Sequence, residues 1–348
     1  MAALLPHQVD DFVQLTLPNL KRYKWTDLSL ELQDYISSRL IDEKRVMEQG
    51  GPTISYRIKT KNTGNATNQK GWFATDDTKV EDVMISATVP WSKQTTSWAY
   101  DIDEDVFQTD RETIIRELLV REHDALSDLA ELQEENLWSA PTDPTDSRPM
   151  GIPFWLQKDA STTPGGAFNG TNPSGFTAGR AGVSSTIYPR WRNWAFGYSA
   201  VTTDDLVVKV KKALVFTRFR APVPHPELGF GSGDYQIYTT YRVTEPAERL
   251  AESRNDNLGK DLARYLNQVT IGGVPMTMVP YLEANDTSDP LYGVNWKTFR
   301  PFVKKGANMR RTGPFRSARQ HTVREVHIDN WMNYVCYNLR LNWVGSKA

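Results

Sequence analysis

Residues 53–91 read TISYRIKTKNTGNATNQKGWFATDDTKVEDVMISATVPW, and this stretch decides the architecture. Ile54, Tyr56 and Ile58 alternate with Ser55, Arg57 and Lys59, the two-residue period of a strand. Val83, Ile85, Ala87, Val89 and Trp91 repeat it against Met84, Ser86, Thr88 and Pro90. Between them, residues 62–78 are polar apart from the large pair Trp72 and Phe73. The pattern predicts a long ribbon with a polar tip. A two-stranded ribbon alone in water is marginally stable, so this one needs a surface to lie on. Its own domain or a neighbouring copy of the chain could supply that surface. The scarcity of apolar filler makes the neighbouring copy our expectation.

Downstream stands the strongest helix pattern, Thr109 to Trp138. Thr109 and Glu112 have the spacing of a capping box. Ile114, Ile115, Leu118, Leu119, Ala125, Leu126, Leu129, Ala130, Leu132 and Leu137 recur at helical spacing and are expected on one face. Glu117, Asp124, Asp128, Glu131 and Glu135 fall on the other. Such a helix spans roughly 40 Å, enough to brace a wide, flat molecule. Upstream, Leu28, Leu32, Ile36 and Leu40 predict a helix within 27–46, preceded by a segment broken by Pro6 and Pro18 that reads as an arm.

Beyond the helix, residues 141–188 are turn-rich. Leu206, Val207, Val210, Ala213 and Leu214 mark a helix within 203–216, and Tyr235 to Val243 reads as a strand. Pro246 is placed to open a further helix, with another at Leu258 to Leu266. Gly272-Gly273 predicts a hairpin turn. The last sixty residues are extended again, ending in a strand that alternates from Tyr334 to Trp343. Helices and strands mix without regular βαβ repeats, an α+β class.

Composition narrows the function. The chain has 348 residues, a net charge of −1, 39% hydrophobic and 24% charged residues. That balance excludes a general polycation. Cys336 is the sole cysteine, so neither an intrachain disulfide nor a thiolate metal cluster can form. Met1 to Leu20 lacks the basic start and apolar run of a secretory signal, and no stretch approaches the ~20 apolar residues of a membrane span. We therefore expect a chain made in the cytoplasm and not bound to a membrane.

A search for reacting groups returns nothing at a meaningful spacing. The five histidines are scattered (His7, His123, His225, His321, His327). Gly229-Phe-Gly-Ser-Gly233 lacks both the phosphate-loop lysine and the order of a nucleophile elbow. Asp101, Asp103, Glu104 and Asp105 could serve glycoside hydrolysis, with some of the eleven tryptophans stacking on sugars. They also precede a helix, where negative charge is favoured, and this plainer account is preferred. No catalytic residue, cofactor or metal is assigned.

One asymmetry of charge stands out. No acidic residue lies between Asp289 and Glu325, yet Lys297, Arg300, Lys304, Lys305, Arg310, Arg311, Arg316, Arg319 and Arg324 do. Complementary fields favour specific docking, so this stretch is set against the acidic long helix as a candidate contact between subunits. A solvated basic face and contact with DNA phosphates are the alternatives. The candidate inter-subunit residues are Lys70, Trp72, Phe73, Glu117, Asp128, Glu131, Arg300, Arg310, Arg311 and Arg316.

The order of these elements resembles the HK97-like major capsid proteins of tailed double-stranded DNA phages. The hairpin Thr53 to Trp91, the helix Thr109 to Trp138, the stretch Thr270 to Pro280 and Asp289 to Trp296 carry the resemblance. It implies an N-terminal arm (1–50), an E-loop hairpin (51–105), a peripheral domain with a spine helix (106–199), an axial domain (200–285) and a return to the peripheral domain (286–348). It further implies an icosahedral shell of hexamers and pentamers enclosing packaged double-stranded DNA. Assembly would take place in the host cytoplasm, with scaffolding, portal and decoration proteins as possible partners. No long removable segment precedes the arm, so a separate scaffolding protein, or none, is expected. Some relatives join an E-loop lysine to an asparagine. Lys61, Lys70 and Lys79 are at or beside the tip, but that chemistry is not claimed. An encapsulin-like compartment shell shares the fold, and a tryptophan-rich glycan-binding or glycan-cleaving protein is the rival from another class.

Overall fold

The computed structural model describes residues 32, 34–42, 45–66, 68, 78–103, 111–159, 165–219, 234–252 and 269–347. Mixed α and β elements fall into two sheets and a separate ribbon, in agreement with the α+β class. In chain order they are α1 (Ile36–Asp42), β1 (Met47–Gln49), β2 (Thr53–Lys59), β3 (Met84–Pro90), β4 (Ser92–Asp101) and α2 (Arg111–Trp138). Then come α3 (Ile152–Trp155), β5 (Trp194–Tyr198), α4 (Val208–Thr217), β6 (Tyr235–Thr239) and α5 (Tyr241–Glu252). The rest are β7 (Thr270–Ile271), β8 (Val274–Met278), α6 (Pro280–Asn285), β9 (Leu291–Asn295), β10 (Phe299–Lys304), β11 (Arg310–Arg316), β12 (Val323–Cys336) and β13 (Trp343–Lys347).

The first sheet is organised by the 14-residue strand β12. β4 runs antiparallel to it from Val323↔Asp101 to Met332↔Ser92, while β11 and then β10 run antiparallel to it through Arg316↔Arg324 and Phe299↔Cys336. β1 adds to β10 in parallel. α2 lies on one face, where Leu118 and Ala125 pack with Trp98, Tyr100 and Val326. On the opposite face Lys93, Thr95, Ser97 and Ala99 of β4 are exposed. The helix thus covers one side of a single sheet layer.

The second sheet has the order β5-β13-β9-β6-β8-β7. Its core combines Phe196, Tyr198, Leu206, Val210, Leu214, Ile237, Met276 and Trp343, so residues far apart in sequence close one unit. Gly293 lies under the Trp343 ring, and a Cβ there would meet that ring at 1.9 Å. Gly272 and Gly273, with φ of 61° and 79°, make the β7–β8 turn.

Several boundaries depart from the sequence reading. β4 was not anticipated. The predicted strand ending at Val243 stops at Thr239, and α5 begins at Tyr241 with Pro246 inside it. Glu283 Oε2 accepts the free Tyr241 and Arg242 N–H groups, which stabilises this earlier start. The predicted last strand breaks after Cys336, because Asn338 accepts from Arg340 N–H and holds a short 3-10 turn at Leu339–Leu341. The 27–46 helix pattern is helical only at Ile36–Asp42 within the described residues, and Met47–Gln49 is already strand. The expected helix at 258–266 and the Thr109 cap lie outside the described residues.

Candidate inter-subunit surfaces

The root of the ribbon is anchored on its own chain. β2 and β3 pair from Thr53↔Pro90 to Lys59↔Met84. Ile54, Ala87 and Val89 are buried in the main core, with Tyr56, Ile58 and Ile85 packed against it. The Tyr56 hydroxyl donates to the Cys336 carbonyl at 3.1 Å, and its ring meets Tyr337 edge-on at 5.1 Å. Thr88 N–H donates to the Ala181 carbonyl. This corrects the expectation that the whole ribbon needs a neighbour: its paired part has an apolar face sufficient to lie on its own body.

Beyond that root the ribbon continues without cover. Lys61 Nζ pairs with Glu81 at 2.6 Å. Asn65 Nδ2 donates to the Lys79 carbonyl at 2.8 Å, and Lys79 N–H returns a bond to Asn65 Oδ1 at 3.0 Å. Thr60 N–H and these contacts hold the strands together well past the ladder. Residues 61, 62, 64–66 and 78–82 are exposed, Val80 at 96%. At the exit from the body a groove of about 680 Å³ is lined by Lys61, Asp82, Met84, Ile187, Tyr188 and Arg190. Lys70, Trp72 and Phe73 lie outside the described residues.

The 28-residue helix α2 buries a different stripe from the one read in the sequence. Leu118, Ala125, Leu129 and Leu137 face inward as expected, joined by Trp138, but Leu126 and Leu132 are exposed while Glu122, Gln133, Glu134 and Asn136 are buried. The buried carboxylates have specific partners. Glu122 is paired with Arg311 of β11. Glu134 accepts from Ser37 N–H at the start of α1 and from Trp138 Nε1, both at 2.7 Å. Burial raises the Glu134 carboxyl above its ordinary 4.5, against the lowering effect of those bonds. Beside it Tyr35 donates to Glu131 at 3.0 Å. So α1 is tied to the long helix at two carboxylates.

The outward stripe of α2 is Val120, Asp124, Asp128 and Glu135, with the half-buried Glu131 on the same line along the helix. Burial first, then the Asp124 and Glu131 charges, push the Asp128 carboxyl up. Of Glu117 only the backbone is described. In the basic stretch, Arg310 and Arg316 are exposed on β11, an edge strand, with Arg319 and a 56% exposed Phe315 beside them. Arg300 is half-buried and directed at Met47 of its own chain. Within the basic stretch, Arg311 is used inside the chain, on the inward-facing Glu122.

Other chemistry is sparse. Among the described residues no cluster of His, Cys, Asp or Glu could hold a metal, and no helix is long and apolar enough to cross a membrane. Asp101 accepts from Asp103 N–H and from the Thr322 hydroxyl, so it closes its own turn. Arg180, which no sequence motif marks, is wholly buried. Its Nη2 donates to the Thr171 carbonyl at 2.7 Å and to Asn193 Oδ1 at 3.1 Å.

No family model matches the sequence, and no curated protein matches it. Solved structures do resemble the fold. The capsid asymmetric unit of cyanophage A-1(L) aligns over 95% of this chain and 98% of its own, with a TM-score of 0.61 and 16% identity. The capsid of Myoviridae phage XM1 gives a TM-score of 0.52 at 8% identity, over 95% and 98%. The capsid of an empty GTA particle gives 0.51 at 10% identity, over 100% and 99%. The chain therefore has the fold of these capsid structures.

Proposed function

We propose that this chain is the major capsid protein of a tailed double-stranded DNA phage. It self-assembles as hexamers and pentamers into the icosahedral shell of the virion, enclosing the packaged genome. The observation that carries this reading is the end-to-end likeness to the cyanophage A-1(L) capsid subunit. Two features of the chain agree with it: a single helix-and-sheet layer exposed on its far face, and a ribbon that outruns its own body.

In this reading the ribbon is the E-loop and reaches over an adjacent subunit, with Lys70, Trp72 and Phe73 at the contact. α2 is the spine of the peripheral domain, which β4, β10, β11 and β12 complete. The sheet containing β6 and β8 belongs to the axial domain and crowds around the five- and six-fold positions. Scaffolding, portal and decoration proteins would complete the particle.

Deleting residues 62–78 tests the assignment. The subunit is expected to fold, because its root at Thr53–Lys59 and Met84–Pro90 is untouched, but shell formation is expected to be lost. Normal particles from this variant would refute the bridging role of the ribbon. Nucleic acid rather than enzyme cargo in wild-type particles separates a phage capsid from an encapsulin-like shell.

A further inference from the structure

β11 is a sheet edge, and its outer side is left unpaired among the described residues. Natural edges of this kind are guarded against indiscriminate pairing by charge, proline and bulges. All three are present: Arg310, Arg311 and Arg316, Pro314, and a register shift between Thr312 and Phe315. The edge nevertheless carries Met309 and Phe315 in exposed positions, together with Arg319 in the turn that follows. A guarded edge that keeps an aromatic ring in solvent has the composition of a specific docking surface, with an apolar centre and a charged rim.

Its complement is found on the same chain. The outward stripe of α2 starts at Val120, which is 46% exposed, and continues along the helix through the exposed Asp124, Asp128 and Glu135. Asp124 and Asp128 are one helical turn apart and both exposed, so like charges neighbour one another there. Arg311 of β11 reaches the inward-facing Glu122 of α2, and Arg310 and Arg316 remain exposed.

We propose that the β11 edge of one subunit docks on the outward acidic stripe of α2 in a second copy. Arg310, Arg316 and Arg319 would meet Asp124, Asp128 and Glu135, and Phe315 would cover Val120. The contact joins two different surfaces, so repetition by rotation generates closed rings. Each exposed pair contributes only ~0–1 kcal/mol, so the effect depends on repetition around the shell. The inference rests on the shell reading and adds to it the two surfaces that recognise each other.

The test is charge reversal with rescue in the full-length protein. Arg310→Glu with Arg316→Glu forms one variant, Asp124→Lys with Asp128→Lys a second, and all four changes together a third. Thermal melts of the soluble protomers first establish that each folds, as expected for exposed sites. Particle yield is then read by sedimentation and electron microscopy. We expect each single-surface variant to lose at least tenfold in particle yield and the combined variant to regain most of it. Normal yield from both single-surface variants would overturn the proposal while leaving the shell reading intact. Absence of rescue in a folded combined variant would also overturn it. Particles of normal yield but reduced nucleic acid content from Arg310→Glu/Arg316→Glu would overturn it in favour of a phosphate contact. Failure of the wild-type protein to form particles would remove the shell reading itself.

Discussion

The guanidinium of Arg311 on β11 is paired with Glu122 on α2, whose side chain is only 8% exposed. The pair ties the edge of the first sheet to the helix beneath it. A carboxylate taken out of water is destabilising unless compensated. Replacing Arg311 by Met is therefore expected to lower unfolding stability by ~1–2 kcal/mol, because it leaves the Glu122 charge behind. Arg311→Met combined with Glu122→Gln should lose less than the two separate changes added together. Urea denaturation of the four proteins of the cycle checks this.

Glu134 is a second buried carboxylate among the described side chains of α2, and it holds the start of α1 through Ser37 N–H. Glu134→Ala would leave two buried N–H donors without acceptors, a loss of ~1–3 kcal/mol. Burial raises the folded carboxyl above 4.5, so the ionised form is the one the fold disfavours. The stability linked to this proton is present in full below the unfolded value and is lost as pH rises through the folded one. The gap between wild type and Glu134→Ala should accordingly widen as the pH is lowered towards 4.5. Thermal melts across that range give the measurement.

These two carboxylates also show where the sequence could be read and where it could not. The ribbon and long helix were legible because period-2 and helical spacing survive in Ile54, Tyr56 and Ile58 and in Leu118, Ala125 and Leu129. The rotation of α2 was misjudged, since Glu122, Gln133 and Glu134 face inward in place of Leu126 and Leu132. Their partners, Arg311 and Ser37, come from distant segments that no local pattern reveals. β4 was missed for a related reason: its buried positions include Ser92 and Gln94 as well as Trp98 and Tyr100. Charge alone marks the candidate arginines, and it carries no sign that Arg311 is used within the chain.

Arg180 has no carboxylate ion partner among the described residues, and burial pushes its pKa down to about 9. A buried charge of this kind is replaceable by an apolar residue of similar length. Arg180→Met should change stability by no more than ~1 kcal/mol in either direction. Arg180→Ala, which leaves a cavity as well, should lose ~2–4 kcal/mol. Equal losses for the two variants in denaturant melts would contradict this account of the site.

Cys336 is buried beside Asn342, and burial raises its thiol to about 12. Thiolate is the reactive form, so a maleimide should not modify the folded protein at pH 8 over hours. Brief unfolding in denaturant should permit complete modification, read as a mass increase.

The central claim is that this chain closes into a shell. Negative-stain electron microscopy of the purified wild-type protein tests it most directly. The account predicts uniform closed particles, or rings of five and six subunits where closure is incomplete. A homogeneous field of monomers or dimers, under conditions where the protein is folded, would contradict it.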